Sequence, residues 1–219
     1  MNRTGSKVGA NSINYDLAFV RIKALQILLL TMSQSNQNSK LLLQLPTDGE
    51  TIAFCQTRQA YGDYSPTQVY PSQEAPIAFI KYGGKDYSMM AEALNQQFAS
   101  NTLESMPQQE TENILIPKIY RVFEQDKVVY IIMEYIAGET FKELLDKELP
   151  HDQLQEYYNL IARAIALFLS FKVPHDTIPG PVGGGIIKHP LFKYTVASIE
   201  YASVDELQEH VNKVCLDRL

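Results

Sequence analysis

Three short stretches hold the residues whose types and spacing could do chemistry. The first is "AFIK", Ala78 to Lys81, an apolar β-rich run that ends in a lysine. An ammonium on a rigid strand offers a phosphate a point charge and three donors. The second is "MAEALNQQF", where Glu92 follows Lys81 by eleven residues on a segment with helical spacing. The third is "MEYI", Met133 to Ile136, closing an apolar run just before Gly138. A fourth stretch, "GPVGGG" (Gly180 to Gly185), has the glycine density of a phosphate loop. Such a loop should follow a strand and open a helix, so that backbone N–H groups and the helix dipole face the anion. Here the glycines follow a helix and a proline-containing loop, and no G-K-[ST] comes after them. The stretch is therefore not read as a nucleotide loop.

Other chemistries find little support. The four histidines show no metal-ligand spacing, and the two cysteines, Cys55 and Cys215, lie far apart and read as reduced thiols. A net charge of -6 without a local Lys/Arg cluster argues against a nucleic-acid surface. No stretch reaches the roughly 18 apolar residues of a membrane span. The nearest, Leu17 to Leu30, is broken by Arg21 and Lys23. Residues 1–31 resemble a mitochondrial presequence only weakly. Met32 is an alternative start, and the chain reads as cytoplasmic.

The elements that must position these residues follow from pattern. Ser33 to Lys40 is polar and reads as a linker. Leu41–Leu45 and Thr51–Gln56 read as strands, with a turn at Asp48-Gly49, and Tyr61 to Ala75 reads as loop. "PIAFIKYGG" (Pro76 to Gly84) reads as a strand ended by its two glycines. Met90, Ala93, Leu94 and Phe98 predict a helix from Tyr87 to Phe98, followed by a loop or frayed end over Asn101 to Asn113. Ile119–Phe123 and Val128–Tyr135 predict a hairpin turning at Gln125-Asp126. Its second strand is almost wholly apolar, as a strand buried on both faces should be. Thr140 with Glu143, and Ser203 with Glu206, form T/S-x-x-E capping boxes before two helices, the last running to Leu219. Pro150 to Phe171 predicts the strongest helix, apolar on two adjoining faces. The class is α+β: a sheet lobe, then helices.

This order of elements and motifs resembles the protein-kinase-like superfamily, and within it the aminoglycoside and choline phosphotransferase branch, over roughly Thr51 to Leu219. The resemblance implies an extension and linker over 1–40. It implies a kinase-like N-lobe, an antiparallel sheet plus one helix, over 41–135, and a hinge with a partial helical C-lobe over 136–219. "AFIK" looks like the V-A-I-K strand, whose lysine holds the α- and β-phosphates of ATP. Glu92 would pair with Lys81 and fix its direction, with Glu104 as the competing carboxylate. "MEYI" looks like the hinge. By that likeness Met133 is the gatekeeper beside the adenine, the Glu134 carbonyl accepts from the adenine amino group, and the Ile136 N–H donates to the ring. The glycine-rich stretch corresponds to a connector on the substrate side, or to a plain surface loop.

The family pattern is incomplete. The G-x-G-x-x-G cover is reduced to Gly62. The H-x-D-x-x-x-x-N loop and the metal motif that phosphoryl transfer requires are absent from these residues. The expectation is a domain truncated before its catalytic loop, holding ATP weakly or vestigially, holding no magnesium, and transferring no phosphoryl group. The alternative is a pseudokinase-like protein-binding module. The acceptor (aminoglycoside, choline, sugar or protein hydroxyl) stays open. Because C-lobe helices would be missing, a protein partner is expected over Tyr157, Leu160, Leu167 and Phe171.

Overall fold

The computed structural model describes residues 45–60, 66–84, 89–173 and 177–216. The extension, the linker and all of the 41–45 strand except Leu45 lie outside those residues, as do Gly62 and the last three positions. The chain is α+β, as the order of its elements predicts.

Its first element corrects the sequence reading. Thr51–Gln56, expected as a strand, belongs to helix α1, Asp48–Ala60. Thr47 and Glu50 cap it reciprocally. The Glu50 N–H donates to Thr47 Oγ1 at 3.3 Å, and the Thr47 N–H donates to Glu50 Oε2 at 2.7 Å. Thr51 and Cys55, four residues apart, are the buried pair. Ile52 and Phe54 imitate strand alternation, but burial follows the helical period.

Among the described residues four strands form one antiparallel sheet in the order β1-β2-β4-β3. They are β1 (Thr67–Tyr70), β2 (Ala78–Gly84), β3 (Ile119–Gln125) and β4 (Val128–Glu134). β1 lies in the stretch expected to be loop. Gly83 and Gly84, expected as a turn, continue β2 and pair with Val129 and Val128. The hairpin turns at Asp126 and Lys127, one residue later than expected, with φ of 51° and 64°. Two consecutive positive φ values are what a two-residue hairpin loop of matching twist requires.

Both faces of the sheet are covered. Ala78, Ile80, Tyr82, Tyr130 and Ile132 pack with Cys55 of α1. Val129, Ile131 and Met133 face the other way, onto Met89 and Ala93 of helix α2 (Met89–Glu104). This explains why β4 is apolar at successive positions: neither of its faces meets water. Ile80, Ile131 and Ile132 are each at most 1% exposed, and each such burial stabilises by roughly 1.5–3 kcal/mol.

α2 runs past Phe98 to Glu104, into the expected loop, and a four-residue helix α3 (Gln108–Thr111) follows. The added turns present Ala99 and Leu103. With Ile114 and Ile116 they pack against Ala164, Leu167 and Phe168 of α5, His151–Leu169. That overturns part of the expected partner surface. Leu167 is buried, Phe171 packs against this cluster, and Tyr157 and Leu160 are half-buried. The large exposed side chain of α5 is Tyr158, 46% accessible.

The Thr140–Glu143 capping box forms as expected and opens α4, Phe141–Leu145. At the last helix, α6 (Val204–Leu216), the Glu206 N–H donates to Ser203 Oγ at 3.2 Å. The Glu206 carboxylate accepts from the Ala202 N–H at 2.7 Å, one residue upstream of a true box. α6 belongs to a separate small cluster of Ile187, Phe192, Ala197, Tyr201 and Leu207. There the Tyr201 hydroxyl meets His210 Nδ1 at 2.6 Å. No helix among the described residues is long and apolar enough to cross a membrane.

Candidate functional site

β2 alternates, so Phe79 and Lys81 project from the face opposite Ala78 and Ile80, toward α2. Glu92 stands in the first turn of α2, where a carboxylate also suits the positive end of the helix dipole. The two elements bring Lys81 Nζ and Glu92 Oε1 into an ion pair and hydrogen bond. The side chains are 21% and 20% exposed, so the pair is shielded but not dry. Glu104, the competing carboxylate, instead pairs with Lys118 at 2.8 Å, twelve residues further along α2.

Beside this pair lies a cavity of about 250 Å³ between the sheet, α2 and the helices. Four of the five expected site residues line it: Glu92, Met133, Glu134 and Ile136. Lys81 does not line it and borders it through Glu92. Phe79 and Met133 are register partners across β2 and β4, and Val69 of β1 faces Phe79 in turn. All three side chains contribute to the apolar wall. Ile114, Ile116, Ala164 and Phe168 close the side toward α5. Among the described residues the Ile136 N–H meets no protein acceptor. The Glu134 N–H donates to the Lys118 carbonyl at 2.8 Å.

Polar groups sit at chosen points on this apolar lining. Gln96, 7% exposed, lies one helical turn after Glu92. Its Nε2 donates to the Pro117 carbonyl at 2.8 Å and approaches Met133 Sδ at 3.6 Å. It thereby ties α2 to the segment leading into β3 and to the end of β4. Glu143 reaches the rim from α4. Its carboxylate accepts from the Thr140 N–H at 2.6 Å and from the Thr140 hydroxyl, which holds its carboxyl below the usual range. Among the described residues the lining includes three glutamates and no histidine, cysteine or serine. Such a pocket can hold a flat, largely apolar group with a hydrogen-bonding edge. Among the described residues no cluster of His, Cys, Asp and Glu could hold a metal ion.

Sequence reasoning missed Phe79, Gln96 and the Asn113–Pro117 wall. Phe79 was legible, because a two-residue period puts it on the face of Lys81. So was Gln96, four residues from Glu92 and hence on its helix face. The wall from residue 113 to 117 has no periodicity and left no signal. Comparison with protein-family models, with curated proteins and with solved structures finds no match for this chain in any of the three.

Proposed function

We propose that this chain is the nucleotide-anchoring part of a kinase-like phosphotransferase scaffold, binding the base of ATP in the cavity and its phosphates at Lys81. The observation that carries the reading is the Lys81–Glu92 pair set beside a cavity that Met133, Glu134 and Ile136 line. A strand lysine fixed by a helix glutamate is the arrangement that directs an ammonium at the α- and β-phosphates in protein kinases. Among the described residues no protein acceptor meets the Ile136 N–H, which leaves it for a ring nitrogen. The four-stranded antiparallel sheet with α2 on one face further supports an N-lobe-like reading, although α1 covers the other face.

The reading is confined to binding. Phosphoryl transfer needs an acceptor-orienting aspartate and magnesium ligands, and no H-x-D-x-x-x-x-N pattern occurs in these 219 residues. Affinity should be weak, because the residues that line the cavity include Glu92, Glu134 and Glu143 and the ligand is an anion. Isothermal titration of the chain with ATP, with and without magnesium, tests this. Weak binding that is indifferent to magnesium and lost in Lys81→Ala supports the reading. Saturation with ATP that is unchanged in Lys81→Ala, or the lack of any heat with ATP or adenosine, overturns it. Magnesium-dependent ADP release lost in Lys81→Ala would show that the confinement to binding is wrong.

A further inference from the structure

The glycine-rich stretch, rejected above as a phosphate loop, lies against the helix that carries Glu92. Asn95 Oδ1 accepts a hydrogen bond from the Val182 N–H at 2.7 Å, across 87 positions of sequence. The next residue, Gly183, comes so close to α2 that a Cβ there would stand 2.9 Å from Leu94 Cδ1. Its φ of +89° also disfavours any side chain. Gly183 is therefore favoured by its backbone conformation, and a side chain there would also push the Leu94 side chain aside. Asn95 lies three residues from Glu92, so both side chains occupy one side of the helix. A hold on Asn95 fixes the rotation and height of α2 at the turn that aims Glu92.

We propose that residues 180–185 form a clamp on α2 and that Asn95 is a positioning residue, holding Glu92 against Lys81. Val182 supplies the backbone donor, and Gly183 beside it takes the positive φ that places the segment there. Gln96 and Glu104 anchor α2 to the β3 side; the clamp anchors it on the side of the segment that follows α5. The functional consequence rests on the nucleotide reading above, but the structural claim does not.

The test therefore uses no nucleotide. The full chain is treated with an amine-acetylating ester, and the rate at Lys81 is read by peptide mass spectrometry. Lys213 serves as the internal control, because its partner Glu209 lies in the same helix at 2.8 Å. Glu92→Gln fixes the rate of an opened pair. A partly shielded pair of this kind limits the amine by about 1.5- to 5-fold, so Asn95→Leu should raise the Lys81 rate within that range and leave Lys213 unchanged. Asn95→Asp keeps the acceptor oxygen and should restore the parent rate. Gly183→Ala leaves Asn95 in place and should raise the Lys81 rate as well. Lys81 rates in Asn95→Leu and Gly183→Ala equal to the parent, with Glu92→Gln raised, overturn the clamp. If Asn95→Leu raises both lysines, it has unfolded, and Gly183→Ala decides: a rise at Lys81 alone supports the clamp, and no rise overturns it. Failure of ATP to bind the parent chain would remove the nucleotide reading and leave the clamp standing.

Discussion

Replacing Phe79 by alanine should make the chain less stable and a better binder of adenosine. The phenyl ring lies between Val69 and Met133 on the wall of a cavity of about 250 Å³. Small-molecule pockets usually run from about 300 to 1,000 Å³. Deleting the ring adds on the order of 100 Å³, given that a buried Leu→Ala change opens about 150 Å³. Fully buried Phe→Ala changes cost about 3–5 kcal/mol. Phe79 is half-buried and one side of its ring already meets empty space, so about half of that, ~2 kcal/mol, is expected. For a chain of this length that lowers the melting temperature by about 4–8 °C. Against the loss, relieving overlap between the ring and an entering base is worth about 1–3 kcal/mol, about 5- to 150-fold in Kd. Thermal melts and isothermal titration of parent and variant with adenosine measure both effects. A variant that melts lower as expected yet binds adenosine no more tightly would show that Phe79 does not occupy the place of the base.

Cys55 is 1% exposed, and burial pushes its thiol up to about 12. The folded state therefore keeps the proton that the unfolded chain gives up near pH 9, so the thiol leaves stability unchanged below that pH. Above it, the unfolded state gains by ionising, and stability falls by about 1.4 kcal/mol per pH unit until the folded thiol itself ionises. Melts of parent and Cys55→Ala between pH 8 and about 10.5 should diverge in slope; parallel curves would show that the thiol reaches water. Thr140→Ala removes the acceptor for the Glu143 N–H at 3.2 Å and should cost about 1 kcal/mol, with α4 losing amide protection before the sheet does. Leu167→Ala should cost about 2–5 kcal/mol, because Leu167 lies in the cluster that joins α5 to α2. A loss near zero would mean that α5 detaches in solution, and would return Leu167 to the expected partner surface.

What the residues determined by themselves was mostly local. Capping at Thr140 is a contact across three residues, and the apolar run of β4 states its own burial on two faces. The hairpin follows from two β-rich runs separated by polar residues, although its turn moved by one position to place Asp126 and Lys127 in the positive-φ region. The types and spacing of Lys81 and Glu92 were equally plain, because they need only a strand, a short connection and a helix start. Even α1 carried a readable signal: Thr47 with Glu50 is a capping box, standing before a stretch, Thr51–Gln56, whose composition reads as a strand. Tertiary structure decided the rest. β1 is four residues of unremarkable sequence, made a strand by the pairing that β2 offers it. Glu92 rather than Glu104 serves Lys81 because Lys118 stands near the other end of α2. Leu167 is covered because α2 is longer than its apolar pattern suggested, its last turns being stabilised by packing on α5 rather than by periodicity. The glycine-rich stretch meets Asn95 from far along the chain. Propensity, capping and periodicity act over a few residues, so they can be read in order along the chain. Pairing and packing join residues tens of positions apart, and their energy belongs to the contact, which neither partner's neighbourhood records.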